Sequence, residues 1–468
     1  MATTFSRRSF LKAGSMTIAS LGVLGLAGCA TPAAPSGSDQ AAEQPSAEGG
    51  APVPALLRAG NGEEDYFNRT IDLFESQHPD VEISRIFVPG GQEYITKLDL
   101  MIASGDPPAI YAPFSNRGYR YYAARGLSQD LDDFVTRDGV NLDDFHPDGI
   151  KGCHWEGKLM ALPLDLWPHV IYYNKTLFNE AGVDAPPTDW NDKSWTTEKY
   201  LETAKELTKK EGDTITQFGT STYFNYWAAG WIYGSDWWPL DTYETGIIAE
   251  FTGDTDEKTL GAVQWVADSM LTDPVAPTPA QSQQLQTGVP SLFMSGKVAM
   301  LMDNIGSLSQ FATIDAFEWG VAAAPFPPDG SDRHLHVWID FWSMIKGVKN
   351  LEGSWEFLKF MTSAEAQKIY PIEYGPQSSL LSLGQDWIDV QRNEQSHLSD
   401  DEFNVLVEAA KYEQIDPENW TVNMSVVHTE TLQPALDRIW LGEGSAADII
   451  AEAAPDIRKA IDESKVVS

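Results

Sequence analysis

The chain holds two cysteines in 468 residues, Cys29 and Cys153. Cys29 ends an N-terminal leader, so Cys153 has no partner in the remainder. A disulfide scaffold is excluded, and Cys153 reads as a small buried thiol. Basic residues are also scarce: Lys and Arg number 32 against 68 Asp and Glu, a net charge of −36. A nucleic-acid partner needs a basic face, and an anionic lipid surface needs a basic patch; this composition excludes both. The acids are spread along the chain rather than gathered into a run, so they read as a solubility trait. No apolar stretch after Cys29 reaches the roughly 20 residues that a membrane-spanning helix needs. Internal repeats, a phosphate-binding P-loop, a dinucleotide-binding glycine fingerprint and a G-x-S-x-G nucleophile motif are all missing.

The N-terminus is rich in signal. Arg7, Arg8 and Lys12 stand before the apolar stretch Ala13 to Ala27, with no acid up to Cys29. A charged start, a short apolar middle and a small-residue end have the layout of a cleaved export signal. Ser6-Arg7-Arg8-Ser9-Phe10-Leu11-Lys12 resembles a twin-arginine signal, which implies export by the Tat route. Leu26-Ala27-Gly28-Cys29 resembles a bacterial lipobox, which implies cleavage before Cys29 and acylation of its thiol. Residues 1–28 are therefore expected to be the signal, and 29–52 a lipidated Cys with a disordered tether. That tether is built of Ala, Pro, Ser, Gly, Gln and Glu, too polar to bury an apolar core. The folded body would then work beside a membrane, held by the lipid alone.

After the tether, short apolar runs alternate with amphipathic helices. Val53 to Leu57 predicts a strand. Phe67, Ile71 and Phe74 predict one face of a helix ending near His78-Pro79, and Val81 to Val88 a second strand. A helix over Glu93 to Ser104 leads into a third strand at Ala109-Ile110-Tyr111. This alternation predicts an α/β domain with a mostly parallel sheet, whose ligands bind in loops at the carboxyl ends of strands. The length suits two domains.

Six blocks resemble the extracellular solute-binding proteins of type 1, the maltose-binding-protein-like group. They are Ile102 to Pro108, Gly126 to Leu131, Gly157 to Pro163 continuing through Tyr172-Tyr173-Asn174-Lys175 to Phe178, Ala181-Gly182 to Pro186-Pro187, Trp195-Thr196, and Phe293 to Met300. Each block is short, but their order over most of the chain is specific. The resemblance implies an α/β, two-lobe periplasmic-binding-protein fold of type II with a three-strand hinge. It implies one lobe from 53–165 and 337–374, and another from 166–336 and 375–468. The crossings would fall at Pro163 to Trp167, Val337 to Phe341, and Gly375-Pro376. The implied function is the substrate-binding component of an ABC importer, on the outer face of the cell membrane. Its partners would be permease subunits and a carbohydrate. It would be a monomer, not an enzyme, and would need neither metal nor other cofactor.

A sugar site should combine aromatic rings for C–H faces with planar polar groups for hydroxyls. The candidates for ligand contact are Asn61, Glu63, Phe114, Asn116, Asp165, Trp167, Tyr223, Trp227, Asn304, Trp338 and Asp340. Asp340-Phe341 stand where the family often has two glycines, which suggests a bulkier cleft floor or a smaller ligand. Trp231, Trp237, Trp238, Tyr119, Tyr121 and Tyr122 are expected in packing. Other readings stay open. His334, His336 and Asp340 are closely spaced, but two alternating His on a strand do not complete a zinc site. A secreted glycoside hydrolase would need two carboxylates flanking its substrate. A phosphate ligand such as glycerol phosphate would favour Arg or Lys, of which Arg58 and Arg117 are near. A cationic or amino-containing solute (polyamine, amino sugar, peptide) is the main rival to a neutral sugar.

Overall fold

A computed structural model describes residues 50–60, 62–112, 118–221, 229–239, 241–287, 291–333, 335–415 and 421–464. The leader and Cys29, together with Asn61, Phe114, Asn116, Arg117, Tyr223, Trp227 and His334, lie outside the described residues.

The fold opens as the hydrophobic pattern predicts. β1 (Val53–Arg58), α1 (Glu63–Gln77), β2 (Ile83–Val88), α2 (Gln92–Ala103) and β3 (Ile110–Tyr111) follow in order. Both β2 and β3 pair parallel to β1. Phe67, Ile71 and Phe74 sit on one face of α1 because their spacing follows the helical repeat, and all three are buried. Each such side chain contributes about 1.5–3 kcal/mol by leaving water. Glu63, Glu64 and Asp65 fill the first turn of α1, where the helix dipole favours acids.

A ribbon of β4 (His154–Trp155) and β5 (Lys158–Leu159) precedes β6 (Ala161–Trp167) and β7 (His169–Asn174). A second ribbon pairs β8 (Lys209–Glu211) with β9 (Thr214–Gln217). The later strands are β10 (Met300–Asn304), β11 (Trp319–Ala322), β12 (Leu335–Met344), β13 (Gln377–Ser378) and β14 (Glu413–Ile415). One sheet has the order β13-β6-β12-β3-β1-β2, with β14 on the first residues of β12, and another has the order β10-β7-β11. Pro168 stands between β6 and β7, where the chain leaves the larger sheet for the smaller. Proline has no N–H for a ladder, so it ends the first strand without leaving a donor unpaired.

The sheets depart from the parallel expectation. The pairs β12–β3, β12–β6 and β13–β6 are antiparallel, as are both pairs of the smaller sheet. Strands β12 and β13 re-enter the larger sheet from late in the chain and run the other way. Alternation of helix and strand is legible in a local stretch, whereas the direction of a returning strand is not.

Separate apolar cores follow the two sheets. One gathers Val53, Phe67, Leu164, Ile339, Phe341 and Trp355, and the other Val170, Tyr172, Met300, Val321 and Leu335. Phe145 buries with the second core although it precedes β6. Trp231, Trp237 and Trp238 are buried in a third cluster with the helices Gln433–Trp440 and Ala446–Ser464. Tyr119 and Tyr122 are buried, as is Cys153, a free thiol. No helix among the described residues is long and apolar enough to cross a membrane.

Candidate ligand-binding site

Strands β6 and β12 bring four of the predicted residues together. They pair antiparallel with Trp338 opposite Trp167 and Asp340 opposite Asp165. Side chains alternate between faces along a strand, so all four stand on one face of the ladder. Leu166 and Ile339, the intervening residues, point the other way into the first core. The register shifts after Asp340, where Phe341 pairs with Pro163 and Leu164 is left over. Such a bulge increases local twist and re-aims neighbouring side chains.

Arg58, at the end of β1, is the cation of this region among the described residues. Its Nη1 donates to Asp340 Oδ2 at 2.5 Å, and its Nη2 to the Tyr370 hydroxyl at 2.7 Å. Nη2 also lies 2.8 Å from Glu63 Oε1, to which the Tyr370 hydroxyl donates at 3.1 Å. Arg58, Glu63, Asp340 and Tyr370 are all buried. Burial opposes the charge on Arg58, but Asp340 and Glu63 outweigh it and hold its pKa above the ordinary value. Burial pushes Glu63 above the usual carboxylate range despite Arg58. One guanidinium shared among several acids does not compensate them all.

Asp165 is the acid left over. It has no exposed surface. Its Oδ1 accepts from Trp167 Nε1 at 2.8 Å and from the Asp340 backbone N–H at 3.3 Å. Its Oδ2 is buried and has no hydrogen-bond partner among the described residues. Burial, then the nearby Asp340, raises the Asp165 pKa well above the carboxylate range, against the pull of Arg58.

The two tryptophans remain partly exposed. Trp338 meets the buried His169 ring edge-on at 5.4 Å. Trp167 meets Tyr374 edge-on at 5.9 Å and packs against Gly306, where a Cβ would collide with its ring. Gly306 follows β10 of the smaller sheet, so this contact joins the two sheets. Asn304 shapes the turn: its Oδ1 accepts from Gly306 N–H at 2.9 Å and its Nδ2 donates to Asp303 Oδ1 at 3.3 Å. Asp303 accepts from the Ser307 hydroxyl at 2.7 Å, and burial pushes its pKa up to about 6.

Of the predicted contacts within the described residues, Asp165, Trp167, Trp338 and Asp340 share one face. Asn304 adjoins it through Gly306, and Glu63 joins through Arg58. Sequence reasoning missed Tyr370, Tyr374, His169 and Gly306. Tyr374 precedes the expected Gly375-Pro376 crossing, which could have flagged it. Among the described residues, no three His, Cys, Asp or Glu are placed to hold a metal ion. A separate groove of about 720 Å³ lies by the far end of β7, lined by Lys175, Phe317, Trp319 and His397 among others.

The profile of the bacterial extracellular solute-binding proteins matches residues 57–368. A protein of Brucella abortus (strain 2308), named only as a binding protein, is 24% identical over 83% of this chain and 88% of its own. A maltooligosaccharide ABC transporter solute-binding lipoprotein of Streptococcus pneumoniae (strain ATCC BAA-255 / R6) is 24% identical over 59% of this chain and 60% of its own. An sn-glycerol-3-phosphate-binding periplasmic protein of Pectobacterium atrosepticum is 23% identical over 64% of this chain and 66% of its own. Among solved structures, an ABC substrate-binding protein from Listeria monocytogenes in complex with cycloalternan superposes with a TM-score of 0.72 at 20% identity, over 88% of this chain and 99% of the other. The maltose-bound T. maritima MalE3 superposes at 0.69 and 17% identity, over 87% and 99%. The architecture is thus the two-lobe, maltose-binding-protein-like fold of type II, and the chain belongs to the bacterial extracellular solute-binding protein family.

Proposed function

We propose that this chain is the extracytoplasmic binding component of an ABC importer and that its cargo is a carbohydrate. The observation that carries this reading is the shared face of β6 and β12. There, two partly exposed tryptophans stand beside two aspartates at the junction of the sheets. Indole faces pack on sugar C–H surfaces, and carboxylates accept from hydroxyls. The sugar-bound neighbours and the maltooligosaccharide-binding relative support the same cargo class.

The glycerol-phosphate-binding relative offers a second cargo. Local charge argues against it. A phosphate needs cationic or multiple N–H partners, yet Arg58 is committed to Asp340, Glu63 and Tyr370. Arg117 lies outside the described residues.

The finer features of the proposal come from the sequence. Residues 1–28 direct export by the Tat route, and Cys29 carries the lipid that holds the protein at the outer face of the membrane. The lobes comprise 53–165 with 337–374 and 166–336 with 375–468. Strands β6 and β12 and the Gly375-Pro376 segment join them as a hinge that closes over the ligand, as in other two-lobe binding proteins. The protein acts as a monomer that hands its cargo to permease subunits.

The test is a thermal-shift screen of the purified protein against mono- and oligosaccharides, glycerol phosphate, amines and metals. A ligand at 100 times its dissociation constant adds about 2.7 kcal/mol of apparent stability. Stabilisation by a sugar is the expected result. Stabilisation by glycerol phosphate or a metal, and by no sugar, overturns the carbohydrate reading.

A further inference from the structure

Among the described residues, the charges at the site would not balance if every carboxylate were ionised. Glu63, Asp165 and Asp340 surround one cation, Arg58, and all four are buried. Arg58 spends its guanidinium on Asp340 and Glu63 and on the Tyr370 hydroxyl. The Tyr370 hydroxyl donates to Glu63, so its proton is also committed. Asp165 remains, and its Oδ2 is the atom without a donor. A buried carboxylate oxygen lacking a hydrogen bond is unfavourable, and an uncompensated buried charge more so.

The orientation of that oxygen is built in. Trp167 Nε1 and the Asp340 backbone N–H both hold Oδ1, which fixes the carboxyl plane and leaves Oδ2 for a further partner. The Asp165 side chain shares its face with Trp167 and Trp338, the rings proposed to flank the sugar. Trp167 in turn lies against Gly306 of the smaller sheet. Movement of the two sheets apart would lift that turn from Trp167 and open the face to a ligand.

We infer that the cargo is a carbohydrate bearing a protonated amine, and that Asp165 Oδ2 receives that ammonium group. This rests on the carbohydrate reading above. A sugar hydroxyl could donate to Oδ2 only once Asp165 had lost its proton, and would then leave that buried charge unmatched. An ammonium group supplies both the donor and the charge. A metal ion is disfavoured, because no group of three ligating side chains is placed for one among the described residues. Among the described residues, Arg58, Asp340, Tyr370 and Tyr374 are titratable groups that interact with Asp165, and Glu63 joins them through Arg58. Burial, then the charge of Asp340, favours a proton on Asp165 when no cation is bound, against the pull of Arg58, so an ammonium displaces that proton.

The test compares matched sugars by calorimetric titration of the protein: glucosamine with glucose, galactosamine with galactose, and chitobiose with cellobiose and N,N′-diacetylchitobiose. At a pH where the amine is protonated, the amine-bearing member of a pair should bind at least about tenfold tighter, as expected for a buried charge pair. Its heat of binding should also vary with the ionisation enthalpy of the buffer, because a proton is released. Asp165→Asn should level the affinities within each pair. Should that variant not fold, the wild-type pairs and the buffer dependence decide alone. Equal binding of neutral and amino sugars, or a preference that survives Asp165→Asn, overturns the inference and leaves the carbohydrate reading standing. No binding of any sugar, neutral or amino, overturns both.

Discussion

The Trp167 ring rests on the backbone of Gly306, and no side-chain atom at 306 could be added without displacing it. Trp167 belongs to β6 of the larger sheet, and Gly306 to the turn after β10 of the smaller one. The contact therefore couples the two sheets at the edge of the candidate site. Gly306→Ala should overpack this contact at a cost of about 1–3 kcal/mol and weaken ligand binding. In a Trp167→Ala background the same substitution should cost less, with the contact to Asn304 Oδ1 at 2.8 Å still to be relieved. A double-mutant cycle of melting temperature and calorimetric affinity checks this, and additive effects would show that the two residues do not communicate.

Trp338→Ala should remove one apolar wall of the sugar site. Hot-spot aromatics of this kind cost about 2 kcal/mol or more in binding, at least tenfold in affinity. Trp338 is partly exposed, so the unliganded melting temperature should fall little. A stability loss without an affinity loss would assign the ring to packing on His169 instead.

Arg58→Met should keep volume while leaving Asp340 and Glu63 buried without their cation. Breaking one side of a buried ion pair costs about 3–5 kcal/mol. Urea unfolding near neutral pH should show that loss. The penalty should shrink in mild acid, because Glu63 already titrates above the usual range and gains its proton early. A penalty independent of pH would mean that lost packing, rather than lost charge, is responsible.

Asp303 makes a pH prediction of its own. Its folded pKa of about 6 lies above the ordinary 3.8. The folded state then binds the proton more tightly than the unfolded state does. This group's contribution is full below the lower value and is lost as pH rises through the upper one. Asp303→Asn should remove that loss, so the variant gains on wild type by about 1–3 kcal/mol as pH rises from 3.8 to about 6, and keeps that gain above it. Melting curves across that range measure it, and parallel profiles for the two proteins would contradict the assignment.

At the N-terminus, Cys29→Ser should abolish acylation and membrane retention. Mass spectrometry of membrane-extracted protein reads the outcome directly. An intact acyl group in the variant, or none on Cys29 in wild type, would refute the anchor.

Much of the fold was legible because local rules operate locally. The spacing of Phe67, Ile71 and Phe74 marks the buried face of α1, and the short apolar runs Val53 to Leu57 and Val81 to Val88 mark β1 and β2. The six short blocks place the chain in its family without any structure. Asp165, Trp167, Trp338 and Asp340 stood out because the family resemblance implies crossings between lobes at their positions.

Those residues lie about 170 positions apart, and no local rule sets the register between such distant strands. The pairing of Trp167 with Trp338 and of Asp165 with Asp340 follows from how the apolar sides of β6 and β12 pack into one core, and from the bulge after Asp340. The same holds for charge. Composition shows an excess of acid, but it does not show which acid lacks a partner. Arg58, Glu63 and Tyr370 come from three distant segments, and their meeting point depends on the packing of β1, α1 and the stretch around Tyr370. Residue type and period, which act over a few positions, were written in the sequence. Which side chains meet, and which buried oxygen goes unpaired, was decided by the tertiary structure, because contacts between remote segments exist only once the cores have formed.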